Sequence, residues 1–284
     1  MEQKRLDVIV AEKLDISRSA AAKLIEQKKV RASSKIIEKP SKKFTLDANL
    51  EIDFSKNIKY PKLKIPVIYE DKDCVVIDKP QGVLSHSKGQ FNPEPTVATW
   101  LKTKTIGFGE NDQRAGIVHR LDRGTSGVMI LAKNFQSLKF LQKQFSARKT
   151  KKVYAALTSE KLEPKSAVVD IPIARKNTDP KKFMVSHAGK PAQTEYKILK
   201  RILSNDKQFF LVELKPKTGR THQLRVHLKH MNAGIVGDLL YGGVPAGRLY
   251  LHATRLEITL PNSKRKIFAS PLPKGFLKPK ILKA

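Results

Sequence analysis

Cysteine, tryptophan and acidic residues are scarce in this 284-residue chain: one Cys, one Trp, and 26 Asp and Glu against 56 Lys and Arg. A lone cysteine, Cys74, permits no intramolecular disulfide and no cysteine-based zinc site. It suits a reducing compartment. Long apolar runs are missing too. The longest, "VMILA" at 128–132, is far too short to span a bilayer. The opening "MEQKRLDVIV" has no long apolar segment and no small-residue cleavage site. These absences predict a cytoplasmic protein with no membrane partner.

What the chain has in excess is positive charge, a formal +30 at pH 7. Such a charge repels itself and makes sense mainly against a strongly anionic partner. Nucleic acid leads, because phosphate neutralisation dominates non-specific binding. Apolar residues reach 40%, enough for a buried core and against wholesale disorder.

Three zones follow one another. Residues 1–55 read as two helices and a small sheet. "RLDVIVAEKL" spaces Leu6, Ile9, Val10 and Leu14 helically, and Ser17 is a good N-cap for "RSAAAKLIEQKKV". Ala21, Leu24 and Ile25 would face inward, with Arg18, Lys28 and Lys29 outward as an RNA-binding face. Residues 56–66, basic and with two prolines, read as a linker. Residues 67–284 form the main domain. "VIYEDKDCVVIDKP" reads as two strands about a polar turn, "TVATWLKTK" as a short helix capped by Thr96, and "GVMILAK" as a buried strand. "NFQSLKFLQKQFSARK" reads as a helix with Phe135, Leu138, Leu141, Gln142 and Phe145 on one face. "KVYAAL", "QTEYKIL", "FFLVELK", "HQLRVHL" and "RLEITL" read as strands. Strands and helices without regular alternation predict an α+β fold with a mixed, largely antiparallel sheet and flanking helices, plus a small α/β N-terminal domain.

One stretch stands out. "GIVHRLDRGTSGVMILAK" (116–133) sets Asp122 between Arg120 and Arg123, just before Thr125-Ser126-Gly127 and a buried strand. An acid between arginines is commonly a surface ion pair of little consequence. Here the small residues allow a tight turn and close backbone approach. A carboxylate beside an anionic polymer would repel it, so its placement needs a reason.

"HRLDRGTSGVMILAK" resembles the signature of the RluA-type pseudouridine synthases. "KPKTGRTHQLRVHL" (215–228), "IVGDLLYGG" (235–243), "RLYLHA" (248–253), and upstream "VIYEDKDCVVIDKPQGVLSH" and "KKVYAAL" match the same family in order. "KRLDVIVAEKL", "ISRSAAAKLIEQKKV" and "KII…KPS" are similar to a small RNA-binding domain first seen in a ribosomal small-subunit protein. Ser33-Ser34 stands where that family carries Asn-Gly, a weaker hairpin signal.

The resemblance implies isomerisation of uridine to pseudouridine within RNA, with large-subunit ribosomal RNA favoured. Transfer RNA, or a catalytically inactive RNA-binding role in ribosome assembly, are the alternatives. No redox step is involved, so no cofactor is expected. A histidine metal site at His222, His227 and His230 lacks accompanying acids or cysteines, and no metal is expected. The resemblance assigns Asp122 as the carboxylate that attacks covalently or assists loss of the base. Arg225 holds it, with Arg220 as the rival, and Tyr154 stacks on the uracil opposite Leu251. The target base must leave its helix. Arg120 then fills the gap or clasps a flanking phosphate, with His119 beside it. Arg148, Lys149, Lys151 and Lys152 suit a phosphate track. The last few residues are expected to form a loose basic tail, and monomer is the default.

Overall fold

The computed structural model describes residues 3–14, 16–46, 48–53, 63–87, 94–108, 114–204 and 206–282. The expected linker at 56–66 lies outside the described residues up to position 62. The chain divides into two compact units. One comprises residues 1–63, 86–100 and 111–114, and the other 64–85, 101–110 and 115–284.

In the first unit β1 (Gln3–Arg5) runs directly into α1 (Leu6–Leu14), and α2 (Arg18–Glu26) follows. The Ser17 hydroxyl accepts the Ala20 amide at 3.3 Å and so caps α2, as its position predicted. Leu6, Val10, Ala21, Leu24 and Ile25 pack with Val30 and Ile37 into one core. Strand β2 (Val30–Ala32) lies between β3 (Lys35–Ile36) and β5 (Leu50–Ile52), while β4 (Lys43–Thr45) pairs with β1. Asp7 is buried between Arg5 Nη2 at 2.9 Å and Arg18 Nε at 3.0 Å. The Arg5 hydrogen bond is the main cause holding its carboxyl below the usual range. Arg18 and Lys28 are exposed, as expected of an outward face, and each also pairs within the unit, Lys28 with Glu38 at 3.0 Å. Lys29 is half-buried. The short helix α3 (Val97–Leu101) is capped as expected, with Thr96 Oγ1 accepting the Thr99 amide at 3.1 Å.

The second unit is built on a nine-stranded sheet. Its strands are β6 (Val67–Glu70), β7 (Cys74–Lys79), β8 (Ser126–Ala132), β9 (Lys151–Thr158), β10 (Ser166–Asp170), β13 (Gln193–Ser204), β14 (Lys207–Pro216), β15 (Leu251–Thr259) and β16 (Arg265–Ala269). A separate hairpin, β11 (Ile173–Arg175) with β12 (Phe183–Val185), stands beside it. The sheet order is β10-β13-β14-β9-β15-β8-β7-β6, with β16 paired to β15. Every pairing is antiparallel except β15 with β8. Strand β8 is buried along its whole length, the reason it reads as a continuous apolar run. Helix α4 (Phe135–Ser146) starts at Asn134, whose Oδ1 accepts the Ser137 amide at 2.9 Å. Leu141 seals it to the core, whereas Phe135 at its start is exposed.

Two expectations are corrected here. "HQLRVHL" is not a strand: residues Gln223–His230 form helix α5. Leu224, His227 and Leu228 are buried at helical spacing, and Gln223 Nε2 donates to the Gln193 carbonyl at 2.9 Å. Nor is the tail loose through Leu282. Phe276 is buried, the Gly247 amide donates to the Lys280 carbonyl, and the Lys280 amide donates to the Tyr250 hydroxyl, both at 2.9 Å.

The hairpin joining β2 to β3 forms despite its Ser-Ser turn. Ala32 pairs with Lys35, and Ser33 and Ser34 both adopt left-handed conformations, φ 48° and 66°. This is the geometry that Asn-Gly adopts readily. Each non-glycine residue there costs roughly 1–2 kcal/mol. Replacing Ser33-Ser34 by Asn-Gly should therefore tighten the hairpin. We expect hydrogen exchange at Ile37, whose amide donates to the Val30 carbonyl at 2.9 Å, to slow about tenfold. Unchanged exchange there would mean that the serines store no strain.

Candidate active site

Asp122 lies in the loop entering β8, and that loop is gripped on both sides of it. On one side Ser85, itself buried, donates its hydroxyl to the Leu121 carbonyl at 2.8 Å and accepts the Leu121 amide at 3.1 Å. On the other, the Arg123 carbonyl accepts the Gly82 amide at 2.8 Å and the Lys79 ammonium at 3.4 Å. Lys79 Nζ also donates to the carbonyls of Pro80 (2.9 Å) and Val83 (2.8 Å). Burial pushes this lysine down to about 7, against the pull of Asp122 and Asp78. Three carbonyl acceptors nevertheless match the three N–H groups of an ammonium. The loop closes on itself through the Thr125 amide, which donates to the Asp122 carbonyl at 3.0 Å.

Gly127 explains the small residues after Asp122. Its φ of +116° lies outside what side-chain-bearing residues adopt, and a Cβ there would sit 2.2 Å from the Ala253 carbonyl oxygen. The parallel pairing of β8 with β15 begins at this point, Ser126 with His252 and Gly127 with Ala253. Only glycine lets the two backbones meet directly behind the Asp122 loop.

The carboxylate is oriented from α5. Arg225 holds Asp238 in a bidentate pair, Nε to Oδ2 and Nη2 to Oδ1, both 2.7 Å. Its remaining nitrogen, Nη1, reaches Asp122 Oδ2 at 3.4 Å. His222 Nε2 lies 3.9 Å from the same oxygen. Both contacts reach Oδ2, and Asp122 Oδ1 has no bond to any described residue. Arg220 is not a rival holder: its Nε donates to the Pro191 carbonyl at 2.9 Å.

These groups border a cavity of about 450 Å³, the size of a small-molecule pocket. Its wall carries six cations, Arg120, Arg148, Lys152, Lys217, Arg220 and Arg225, and one carboxylate, Asp122. Tyr154 on β9 and Leu251 on β15 supply ring and apolar surface. Burial, with Asp122 adding, pushes the Tyr154 phenol well up, so it is a neutral phenol at physiological pH. Arg120 is exposed and makes no bond to described residues. His119 borders the cavity with its chemistry already engaged. Nε2 accepts the Ile130 amide at 3.2 Å, the ring stacks on Phe145 at 4.4 Å, and burial drives it down to about 3.

The basic run after α4 splits up. Arg148 and Lys152 face the cavity, Lys149 is exposed, and Lys151 pairs with Glu257 at 3.3 Å. The Lys151 run is therefore not free of acids, since β15 places Glu257 directly opposite. Sequence reasoning also passed over Lys79, Ser85, Asp238 and Tyr241. Each lies in a motif block, but an apolar-looking strand end, a loop serine and a distant acid gave no local sign of their partners. Among the described residues no cluster of His, Cys, Asp and Glu could hold a metal ion, and no helix is long and apolar enough to cross a membrane.

The family model described as RNA pseudouridylate synthase matches residues 73–230, and the S4 domain matches residues 4–50. The chain is 44% identical over 224 residues to a ribosomal large subunit pseudouridine synthase D of Borreliella burgdorferi, covering 76% of this chain and 67% of that one. It is 36% identical to the protein of that name from Yersinia pestis, covering 90% and 83%. Among solved structures it resembles human RNA pseudouridylate synthase domain containing 1, with TM-score 0.63 and 26% identity over 78% of this chain and 91% of that one. With a locked aspartate in a cationic, nucleoside-sized cavity and an S4 domain ahead of it, this chain belongs to the RNA pseudouridylate synthase family, which isomerises uridine to pseudouridine in RNA.

Proposed function

We propose that this chain converts uridines of large-subunit ribosomal RNA to pseudouridine, with Asp122 as the catalytic carboxylate. The observation that carries the assignment is the lone carboxylate on a wall of six cations. The names of its bacterial relatives support the ribosomal target, and the S4 domain supports a large structured RNA. The target uridine is flipped out of its stack into the cavity. Tyr154 and Leu251 hold the uracil, and Asp122 Oδ1 meets the nucleoside. The N1–C1′ bond breaks, the uracil turns, and a C5–C1′ bond forms. C5 gives up its proton and N1 gains one, so the reaction balances without a redox partner. Arg120, exposed and without a bond to described residues, fills the vacated stack or clasps a flanking phosphate. Arg148, Lys149 and Lys152 carry neighbouring phosphates, and His119 shapes the wall. Residues 1–55 add RNA affinity and residues 67–284 carry the chemistry. The proposed working form is a monomer acting in the cytoplasm.

Tritium release from C5-labelled uridine tests this reading, with unmodified ribosomal and transfer RNA assayed separately. Wild type should release tritium from large-subunit RNA. Asp122→Asn should cut release by about 10³-fold or more while leaving RNA affinity within about twofold. Normal turnover by that variant would remove Asp122 from the reaction. Release from transfer RNA alone would reassign the substrate, and binding without release from either would favour an assembly factor.

Two further outcomes follow from the cavity's charges. Asp238→Ala should lower stability by about 3–5 kcal/mol in denaturant unfolding, because it strands the largely buried Arg225 guanidinium. A loss under about 1 kcal/mol would make the pair dispensable. Burial lowers the Lys152 ammonium to about 8. Its charge is present below that pH and lost above it, so RNA affinity should weaken as pH rises through about 8. Titrating binding across that range checks this. If Lys152→Met shows the same fall, another group is responsible.

A further inference from the structure

Asp122 has a second neighbour besides Arg225, and that neighbour is held by a chain of hydrogen bonds. The Phe183 amide on β12 donates to the Tyr241 hydroxyl oxygen at 3.0 Å. The same hydroxyl lies 2.8 Å from His222 Nδ1. Tyr241 is buried, so its one proton needs an acceptor, and Nδ1 is the one that the described residues offer. The phenol therefore donates to Nδ1, which leaves the ring proton on Nε2. Nε2 is the atom that faces Asp122 Oδ2, at 3.9 Å. Burial lowers the pKa of His222, against the pull of Asp122 and Asp238 and with Arg225 and Arg120 opposing a charge. The imidazole thus meets the carboxylate as a neutral N–H donor.

Two more observations set this histidine apart from ordinary packing. His222 precedes α5 in a left-handed conformation, φ 57°, ψ 16°, and its side chain makes no capping bond. A histidine in that conformation is strained backbone, kept here beside a functional group. Tyr241 also lies under Arg225, whose guanidinium carbon is 4.9 Å from the ring centroid. One tyrosine thus braces both groups that approach Asp122 Oδ2, Arg225 through its ring and His222 through its hydroxyl.

We propose that His222 is a positioning residue for Asp122, with Tyr241 and the Phe183 amide fixing the tautomer that points an N–H at the carboxylate. The 3.9 Å separation closes to a hydrogen bond when the RNA is seated, as catalytic contacts commonly do. Arg225 and His222 then hold one oxygen from two directions, and Oδ1 is aimed at the nucleoside. The proposal rests on Asp122 being the catalytic carboxylate, which the Asp122→Asn assay decides by itself.

The test compares two replacements that rank in opposite order under the rival explanations. Asparagine accepts the left-handed backbone better than histidine does, but it is too short to reach Asp122. Glutamine fits that backbone poorly, yet its amide nitrogen extends to the place of Nε2. Single-turnover conversion and RNA affinity are measured for His222→Asn, His222→Gln and Tyr241→Phe in the full chain, with melting curves for each. We expect His222→Asn to melt like wild type and bind RNA within about twofold, yet to convert at least about tenfold more slowly. His222→Gln should recover to within about threefold of wild type. Tyr241→Phe keeps the ring under Arg225 and loses only the hydroxyl, and it should slow conversion by about threefold or more without weakening binding. Wild-type conversion by His222→Asn, or a glutamine variant no faster than asparagine, overturns the proposal. Should either His222 variant fail to fold, an unchanged rate in Tyr241→Phe overturns it as well.

Discussion

The Asp122 carboxylate has to be aimed from within a cavity whose other charged groups are all cations. Arg225 meets that requirement by serving two acids at once. Its bidentate grip on buried Asp238 fixes the guanidinium plane, and only the nitrogen left over addresses Asp122. A free arginine beside Asp122 could swing out to an RNA phosphate and leave the carboxylate unheld. Pairing most of the guanidinium within the protein removes that freedom. The longer 3.4 Å contact to Asp122 keeps its carboxylate from being fully consumed by a salt bridge.

The backbone carries the other half of the positioning. Ser85 satisfies Leu121 on both its amide and its carbonyl, and Lys79 with Gly82 occupies the carbonyl of Arg123. Asp122 is the residue between these two clamps, so its Cα has little room to move. Lys79 is an unusual clamp, a fully buried lysine whose hydrogen-bond partners are backbone carbonyls rather than acids. Burying it without those acceptors would be prohibitive. Its position therefore depends on the very loop it organises, and strand and loop are specified together. Gly127 completes the arrangement by letting β15 press against β8 just past the loop.

The fold was largely legible because its signals are local. Ser17, Thr96 and Asn134 cap the helices that follow them, and the unbroken apolar run of β8 marks a buried strand. "HQLRVHL" misled because alternate apolar residues imitate a strand. Its helix is set by long-range partners, Gln223 on the β13 backbone and His227 on Thr194. Asp122, Tyr154, Leu251 and Arg225 could be named from motif resemblance, and all four border one cavity. Their supports could not be named, since Asp238 meets Arg225 and Ser85 meets Leu121 only through tertiary geometry. Ser33-Ser34 was the reverse case, a poor local turn signal overridden by the sheet around it.

Several cations outside the cavity are engaged within the fold. Arg5 and Arg18 share Asp7, Lys104 and Lys133 share Glu70, and Lys151 and Arg265 share Glu257. Each of these three acids bridges two cations, so it ties down two side chains while cancelling one charge. The cavity is where this pattern is inverted. There, six cations surround one acid, and that acid is withheld from full pairing. The field at this cavity favours an anionic polymer. Two of the six are paired within the protein, Arg225 with Asp238 and Lys217 with Glu195, and the other four outweigh the repulsion that Asp122 adds. The lone acid between two arginines in "HRLDRG" is therefore no ordinary surface pair: Arg123 turns to the Gly82 carbonyl, Arg120 stays open to the cavity, and a third arginine from α5 does the holding.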